Sequence, residues 1–450
     1  MSFRSDLPDP VLVVDVGNTS SSAALVGAAG SRLLTEPVSG ASSWPSAVFW
    51  DGRQMLVGTL AEHHRQLDPA GFGVDFKRGL STDASTQLGG HRFRAVEQIA
   101  ALLTALRLEA ERVHGGPVRR ALVTVPAGYR PGDPRRAWMV AAAEAAGFSA
   151  VELLDEAIAV GHAPTAGPGM TPGDLVLVYG LGSSAFDVAL SRVGEQVAHV
   201  LGQASVDDCG TLDIDTLLSR RIAESGRPWL DPLINAAPDG DTALRLSMAV
   251  TEFAQLIKHQ LTDSPVAEDY LLPTAPPYRL ERPELAALAA PVLDRTVACC
   301  RQLLARLDVP LSRVTTVLLV GGGSRMPAVV DLLARELGRP LRRVEEPELA
   351  TVRGAVRWLQ FSAPRVAPAV DGPGRAAPLT FALPGGSARL HRWLVGPGQA
   401  YPAGQVLARV RLPDGALWDL TAAVDGTVER VLVPAGADVA TGQWLAVARH

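Results

Sequence analysis

The sequence predicts an α/β fold with a duplicated core, joined to a small β-domain at the C-terminal end. Between residue 11 and about residue 360, apolar strand-like runs alternate with amphipathic helical stretches. The stretch VLVVDVGNTSSSAAL, which starts at residue 11, returns from residue 176 as VLVYGLGSSAFDVAL. Beyond a segment rich in Pro, Gly and Ala, short strand patterns separated by turn residues continue along the chain.

The alternating part of the chain contains strands and helices that can be predicted from their periodicity. The predicted strands are VLVVDV, RALVTVP, LVLVYG, SAFDVALSRV and TTVLLVGG. The predicted helices span residues 95–114, 135–146, 212–224, 244–261, 283–307 and 326–337. This alternation is typical of α/β domains built on mixed or parallel sheets.

Each copy of the repeated stretch reads as a buried strand, a tight turn rich in Gly, Ser and Thr, and a returning strand. Two such turns facing one another would direct two sets of backbone N–H donors at one polyphosphate. The copies differ at one chemically important position, because Asp15 of the first aligns with Gly180 of the second. The missing carboxylate bears on whether such a site hydrolyses a nucleotide or only holds it.

Composition excludes several functional classes. The 450-residue chain is 47% apolar and 20% charged, and its net charge of −5 gives no attraction to nucleic acid or to an acidic membrane. No apolar signal core and no 18-residue apolar span occur, so we expect a cytoplasmic protein. Cys209, Cys299 and Cys300 have no metal-binding spacing. Of 42 basic residues only Lys77 and Lys258 are lysines, and arginine cannot replace a compact ammonium charge at every kind of site.

Three ordered motifs resemble the actin/Hsp70 superfamily: DVGNT at 15–19, LVYGLGSSAFDV at 177–188 and LLVGGGSRMP at 318–327. Three further stretches are similar to the Hsp70 branch in particular, namely residues 44–64, GVDFKRGLS at 73–81, and 121–163, which contains VTVPAGY and DEAIAV. The resemblance covers about residues 10–362. It implies a two-lobed actin-like ATPase domain with an RNase H-like core in each lobe. The expected divisions are 10–172 for lobe I, 173–361 for lobe II, 362–379 for a linker and 380–450 for the β-domain.

The resemblance also implies roles for particular residues around bound ATP or ADP and Mg²⁺. Asp15 and Asp187 would hold the metal through water, Lys77 would orient the attacking water, and Glu156 would lie beside it. The expected phosphate contacts are Gly17, Asn18, Thr19, Gly182, Ser183, Ser184, Gly210 and Thr211. The expected adenosine contacts are Gln255, Lys258, His259, Thr262, Gly321, Gly322, Gly323, Arg325 and Glu348.

Several positions depart from the Hsp70 pattern. Gly180 and Ala185 stand where the family has an aspartate and a threonine, and Thr211 replaces a glycine. Gln255 and His259 replace a glutamate and an arginine of the adenosine pocket. Loss of one positioned catalytic group reduces rates by roughly 10²–10⁴. We therefore expect an ATP-binding conformational switch with slow or degenerate ATPase activity. A pseudo-ATPase adaptor and an active Hsp70-type ATPase or chaperone are the alternatives.

The end of the chain resembles the biotinyl/lipoyl hammerhead instead of a peptide-binding domain. Residues 422–448 carry its G-x-V and G-Q-x-L pattern, and residues 395–409 repeat at 433–447, which predicts a pseudo-two-fold β-domain. Carriers of this type attach their cofactor to a lysine on a hairpin tip. The corresponding turn is RLPDGALWD at 411–419, and residues 380–450 contain no lysine. We therefore expect no biotin or lipoate, no standard peptide clamp, and a docking role toward a protein partner.

Overall fold

Two sheets of similar topology organise the first 362 residues, and a β-domain follows. The computed structural model describes residues 9–80, 85–129, 133–163, 170–194, 198–237, 240–362, 376–413 and 415–449. We call the elements around the first sheet the first lobe and those around the second sheet the second lobe. Most of the predicted linker, residues 363–375, lies outside the described residues.

The first lobe is built on a six-stranded sheet of order β11-β10-β1-β2-β3, with β4 also paired to β2. Its strands are β1 (Val11–Asp15), β2 (Ser20–Gly27), β3 (Gly30–Leu33), β4 (Ser43–Pro45), β5 (Val48–Trp50), β6 (Met55–Val57), β7 (Phe72–Gly73), β8 (Ser85–Leu88), β9 (His91–Arg94), β10 (Arg120–Val125) and β11 (Ala150–Asp155). Its helices are α1 (Thr59–His64), α2 (Phe76–Gly79), α3 (Ala95–His114), α4 (Pro134–Ala145) and α5 (Glu156–Gly161). Strands β5–β7 and β8–β9 form two small separate sheets.

The second lobe is built on a five-stranded sheet of order β14-β13-β12-β17-β18. Its strands are β12 (Leu175–Leu181), β13 (Ala185–Arg192), β14 (His199–Asp207), β15 (Val266–Asp269), β16 (Tyr278–Glu281), β17 (Val314–Val320) and β18 (Leu341–Arg343). The helices of this stretch are α6 (Thr211–Asn235), α7 (Gly240–Asp263), α8 (Arg282–Arg306), α9 (Pro327–Leu337) and α10 (Ala350–Arg357). Strands β15 and β16 pair with each other as a separate hairpin.

The duplicated segments occupy equivalent places in the two sheets. Strand β1 is antiparallel to β2 and parallel to β10, and β12 is likewise antiparallel to β13 and parallel to β17. Asp15 stands opposite Ser22, and Gly180, its counterpart in the second copy, stands opposite Asp187. The predicted duplication of an α/β core is therefore confirmed.

The continuous apolar runs of the central strands reflect burial on both faces of the sheets. Leu12 and Val14 of β1 pack in a core shared with α3 and α4. Val11 and Val13 face the other side, in a core shared with α10. A strand that is covered on both faces needs an apolar residue at every position, which explains the VLVV pattern.

Two helices cross between the lobes. Val160 of α5, which follows the last strand of the first sheet, packs with Val176 and Val178 of β12. Helix α10 lies in the stretch predicted for lobe II, yet its Val352 and Ala355 pack against the first sheet. Each lobe therefore contributes a helix to the core of the other, so the lobes are joined by packing as well as by the chain.

The helix predicted for residues 212–224 is longer in the structure. Helix α6 continues through Pro228 and Pro232 to Asn235. Both prolines are exposed, so the carbonyl groups that they leave without an intrahelical donor can be hydrated by water. The helix therefore extends 11 residues beyond its predicted end at residue 224. Although α6, α7 and α8 contain 24 or 25 residues each, no helix in the described part of the chain is long and apolar enough to cross a membrane.

The C-terminal β-domain consists of two four-stranded sheets. Its strands are β19 (Ala376–Leu379), β20 (Ser387–Trp393), β21 (Ala400–Tyr401), β22 (Val406–Arg411), β23 (Leu417–Thr421), β24 (Gly426–Val431), β25 (Asp438–Ala440) and β26 (Ala446–Arg449). The sheet orders are β19-β26-β24-β21 and β23-β22-β20-β25. When residue 395 is aligned with residue 433, strands β20, β21 and β22 align in sequence with β24, β25 and β26, as the repeat predicts. Residues 376–379, predicted as linker, instead form β19, because they pair with β26.

Candidate functional site

A cavity of about 590 Å³ lies between the lobes, at the ends of β1, β12 and β17. It gathers every predicted site residue except Gly210: Asp15, Gly17, Asn18, Thr19, Lys77, Glu156, Gly182, Ser183, Ser184, Asp187, Thr211, Gln255, Lys258, His259, Thr262, Gly321, Gly322, Gly323, Arg325 and Glu348. Strand ends and helix starts from both halves of the duplication thus converge on one cleft.

The turn between β1 and β2 approaches the cavity with its backbone. A side chain at position 17 would place a Cβ 2.1 Å from the carbonyl oxygen of Ser20, so only glycine fits this tight turn. The Gly17 N–H donates to Ser21 Oγ over 3.2 Å. Asn18 is buried, and its Oδ1 has no hydrogen-bond partner among the described residues. Asn18 lines the cavity, and its side-chain oxygen is a buried acceptor that no described residue satisfies.

Asp15 ends β1 within the cavity. Its Oδ1 accepts a hydrogen bond of 2.7 Å from the hydroxyl of Thr124 on β10. Burial, and then the negative charge of Glu156, raise the pKa of Asp15 to about 6, although Lys77 and Thr124 act in the opposite direction. A half-buried carboxylate with one neutral donor is a good acceptor for a cation or for metal-bound water.

Lys77 is fixed by two contacts at the floor of the cavity. Its Nζ donates to Val16 O over 2.5 Å and to Glu156 Oε1 over 2.6 Å. Burial is the largest single effect and would lower the pKa of Lys77, but the charges of Glu156, Tyr129 and Asp15 and the hydrogen bond to Glu156 together outweigh it and keep the pKa above its ordinary value. Lys77 is therefore a charged donor whose ammonium group is already oriented beside a carboxylate.

The second turn repeats the shape of the first with a different placement of the acid. Gly182 donates its N–H to Ala185 O over 3.0 Å and aligns with Gly17 across the duplication. Gly180 offers no carboxylate at the position of Asp15, whereas Asp187 stands at the position of Ser22. Asp187 is buried, its Oδ1 has no hydrogen-bond partner among the described residues, and burial raises its pKa well above the ordinary range. The second copy therefore carries its acid on the returning strand, whereas the first copy carries its acid on the first strand.

Gly210 does not line the cavity, and its role as a phosphate contact stays a prediction. A Cβ at this position would lie 2.2 Å from Ser183 O, so the backbone of the β14–α6 corner is pressed against the second turn from behind. Next to it, Thr211 donates its N–H to Gly182 O over 3.1 Å, and Leu212 donates to Ser183 O over 2.8 Å. Gly210 therefore supports the turn and leaves the cavity to Thr211.

The far end of the cavity carries two ion pairs. Lys258 Nζ lies 2.6 Å from Asp215 Oδ1, and both side chains are buried. Arg325 contacts both oxygens of Glu348, at 3.2 and 2.9 Å, on the more exposed wall. Burial and the charge of Lys258 lower the pKa of His259, so this imidazole is favoured in its neutral form. Lys258 is therefore held by a protein carboxylate, which the sequence did not predict.

Other residues of the site were missed because their signals are tertiary. Thr124 is an ordinary strand residue in the sequence, and only the parallel pairing of β1 with β10 brings it opposite Asp15. Arg78 directly follows Lys77, but its contact with Asp213 joins positions that are 135 residues apart. The sequence offered one usable hint, since Asp213 follows Gly210 at the start of a helix, in a typical capping position.

The donor set fits a magnesium–nucleotide complex. Magnesium keeps most of its waters in proteins and needs only one or two carboxylates, a requirement that Asp15 and Asp187 can meet through water. Among the described residues no three His, Cys, Asp or Glu side chains are arranged to ligate a metal directly. The orphaned oxygens of Asn18 and Asp187 and the two backbone turns are suited to a hydrated cation with polyphosphate.

Comparison with known proteins agrees with this geometry. The model of the Hsp70 protein family matches residues 80–360, which is more than half of the chain. The chain belongs to the Hsp70 family. A second family model, described as a biotin-requiring enzyme, matches residues 379–447, and this stretch of the Hsp70-family chain contains no lysine.

Two curated relatives cover similar parts of this Hsp70-family chain. The chaperone protein DnaK of Methanothermobacter thermautotrophicus is 28% identical over 364 residues, which are 77% of this chain and 59% of the relative. The chaperone protein HscA homolog of Pseudoalteromonas atlantica is 26% identical over 377 residues, or 76% of this chain and 57% of the relative. The chain thus matches less than three fifths of the length of each relative.

Proposed function

We propose that this Hsp70-family protein is a nucleotide-driven conformational switch that binds ATP or ADP with Mg²⁺ and hydrolyses ATP slowly or not at all. The observation that carries this proposal is the asymmetry of the two turns. The first has Asp15 at its strand end, with the Lys77–Glu156 pair beside it, whereas the second has Gly180 at the equivalent strand end. Residues suited to binding are retained, and part of the expected catalytic set is replaced.

The roles proposed for the residues follow from their chemistry. A bound magnesium ion would neutralise phosphate charge. The Asp15 and Asp187 carboxylates would hold its waters, and the N–H groups of both turns would bind phosphate oxygens. The Lys77 ammonium would add positive charge near the terminal phosphate, and Glu156 would orient that ammonium. With Gly180 and Ala185 in the second turn, one carboxylate and one hydroxyl are missing from the set that positions a hydrolytic water.

Closure of the two lobes around nucleotide is the conformational change that we propose. Both lobes contribute walls to the cavity, so a ligand that contacts both walls favours the closed arrangement over the open one. Helices α5 and α10 cross between the lobes and would transmit relative lobe movement to the segment that follows residue 362. This segment leads to the β-domain, and its response to nucleotide would be the output of the switch.

Thermal unfolding with and without ligand tests the binding part of the proposal. We expect Mg·ATP and Mg·ADP to raise the melting temperature of the wild-type chain, because a ligand that binds only the folded state stabilises it by mass action. Lys77→Ala should abolish this rise. The matched control is Arg301→Ala, which breaks a surface ion pair with Glu336 outside the cavity. Absence of any rise in the wild type would exclude the switch.

Measurement of phosphate release from ATP distinguishes a chain with slow or degenerate ATPase activity from an active ATPase. We expect slow release or none from the wild type, and any turnover from this site should be lost in Lys77→Ala. Turnover that is unchanged in Lys77→Ala would come from a contaminant. Fast, Lys77-dependent release would instead make the chain an active Hsp70-type ATPase.

A protein-binding adaptor acting through the β-domain is the second candidate. It is favoured by Trp444, which is 60% exposed on the β-domain although tryptophan is usually largely buried. The absence of lysine from residues 380–450 also removes the attachment chemistry of a biotin or lipoate carrier. Cross-linking of the full chain, compared with Trp444→Ala, tests this candidate. A partner bound equally well by both proteins would argue against this surface.

A further inference from the structure

The β14–α6 corner, which we define as residues 207–213, is bonded to the second phosphate turn by its backbone. Cys209 donates its N–H to Ser184 O over 3.3 Å, and Thr211 and Leu212 donate to Gly182 and Ser183. Three consecutive carbonyl groups of the turn are thus held by one corner. A corner that is held in place therefore holds the turn in place.

The first lobe holds the same corner by charged side chains. Arg78 Nη2 lies 3.0 and 3.1 Å from the two carboxylate oxygens of Asp213. Its Nε is 3.8 Å from Asp208 Oδ1. At the other end of the corner, Arg135 of α4 contacts Asp207 over 3.3 Å. The corner is therefore anchored to the first lobe at both of its ends.

Asp213 performs two tasks at once. Its Oδ2 accepts the Gly210 N–H over 2.8 Å, which caps the start of α6, while the same carboxylate receives Arg78 from the opposite lobe. Arg78 itself follows Lys77 on the single turn of α2. Two adjacent residues thus reach different halves of the site: Lys77 contacts Glu156 in the first lobe, and Arg78 contacts the support of the second turn.

We propose that Arg78 is a positioning residue, an interlobe clasp that fixes the second phosphate turn against the first lobe through Asp213. The inference rests on the proposed nucleotide site and adds a residue to it. Arg78 and Asp213 side chains are 32% and 24% exposed, so the pair is accessible enough to form and break as the lobes close and open. A closed clasp slows nucleotide escape, because the turn that contacts phosphate cannot move away from Lys77 while the clasp is intact.

Amide hydrogen exchange of the nucleotide-free protein tests the clasp without relying on nucleotide binding. Arg78→Ala should increase exchange in the peptide that covers residues 207–213, because the donors Cys209, Thr211 and Leu212 lose their fixed acceptors when the corner loosens. The amide exchange of Arg78→Lys should lie between that of the wild type and that of Arg78→Ala, since lysine keeps the charge but loses the guanidinium contact with both oxygens of Asp213. Arg301→Ala, which breaks an ion pair inside the second lobe, should leave this peptide unchanged.

Dissociation of a fluorescent ADP analogue tests the consequence for the site. Arg78→Ala should release the analogue about three to ten times faster than the wild type, the range expected for loss of one partly exposed ion pair that couples two sites. Asp213→Asn keeps an oxygen for the Gly210 N–H and loses the charge, so it should have a similar effect. The double variant should be no faster than Arg78→Ala alone, because the two side chains act through one contact.

The outcomes distinguish the clasp from the proposed function. If the wild type binds no nucleotide, the proposed function fails, and amide exchange alone decides on the clasp. Unchanged exchange in residues 207–213 of Arg78→Ala overturns it. If Arg78→Ala raises amide exchange but releases the ADP analogue at the wild-type rate, Arg78 is not a positioning residue for the nucleotide site. Additive effects of Arg78→Ala and Asp213→Asn would likewise contradict action through one shared contact.

Discussion

The Nζ of Lys77 lies 2.6 Å from Oε1 of Glu156, at a point where the lysine is only 4% exposed. A buried ammonium group is costly unless a carboxylate and further acceptors surround it, and here Glu156 and the carbonyl of Val16 supply them. The pair therefore stabilises the first lobe and holds an oriented ammonium group beside the proposed phosphate site.

Lys77→Ala should weaken both folding and ligand binding. Removal of the ammonium leaves the Glu156 carboxylate, which is 15% exposed, without its cation, so we expect the free energy of unfolding to fall by about 2–4 kcal/mol. Urea denaturation at neutral pH measures this change. Lys77→Met keeps much of the side-chain volume and separates the loss of charge from the loss of packing. A variant as stable as the wild type would contradict this role of the pair.

Gly180→Asp should increase ATP hydrolysis. A Cβ at position 180 would lie 3.2 Å from Asp187 O and 3.3 Å from Val320 Cγ2, so the side chain requires shifts of only a few tenths of an ångström. If the missing carboxylate limits turnover, its return should raise phosphate release at least about tenfold. Gly180→Asn has the same size without the charge and is the matched control. Equal rates in the two variants would locate the limitation elsewhere.

Asp15→Asn should make nucleotide binding less dependent on magnesium. The amide retains an oxygen for the Thr124 hydroxyl but no longer attracts a hydrated cation, so we expect affinity in magnesium to fall about tenfold, with little change in EDTA. Calorimetry in both buffers measures the difference. Asp187→Asn should also lower the affinity in magnesium, because Asp187 is the second carboxylate proposed to hold the waters of the metal. An unchanged magnesium dependence in Asp15→Asn would exclude Asp15 as the metal-binding carboxylate.

His162 should destabilise the chain as the pH falls below 6.5. Burial, together with the positive charges of His199 and Arg357, lowers the pKa of His162 from 6.5 to about 4, although the carbonyl of Ile158 favours protonation. Between these values the unfolded chain binds a proton that the folded chain does not. The free energy of unfolding therefore decreases by about 2 kcal/mol between pH 6.5 and about pH 5.

His162→Gln should remove this contribution to the pH dependence. Measured by urea denaturation, the difference in the free energy of unfolding between the variant and the wild type should grow in favour of the variant as the pH falls. Comparison at each pH is necessary because Asp15 acts in the opposite sense: its pKa rises to about 6, so its protonation favours the folded chain in the same range. A constant difference between the two proteins would contradict the assignment.

Features carried by local pattern and by the repeat could be predicted from the sequence. Alignment of the two copies predicts that Asp15 and Gly180 occupy equivalent places. The pairing of β1 with β2 and the pairing of β12 with β13 have this register. The spacing of turn residues also marked the two phosphate turns. These properties depend on residues close in sequence or on direct comparison of two segments, so no knowledge of tertiary contacts was needed.

Contacts between distant elements could not be predicted in this way. Lys258 was expected to face nucleotide, but its partner Asp215 lies on a different helix, and only the packing of α6 beside α7 joins them. Helix α6 continues beyond Gly226 because the face that carries Pro228 and Pro232 is exposed to water. Composition alone does not reveal this exposure. Likewise, nothing in the sequence of α10 indicates that its apolar face belongs to the first sheet.

The scarcity of lysine has a consequence for the reactivity of the protein. Lys77 is 4% exposed and Lys258 is 5% exposed, each is paired with a carboxylate, and the sequence contains no other lysine. Reagents and enzymes that acylate side-chain amines therefore meet no accessible lysine in the arrangement of the lobes seen here. Acylation of these two side chains would report on opening of the cleft, and its rate would measure how often the lobes part.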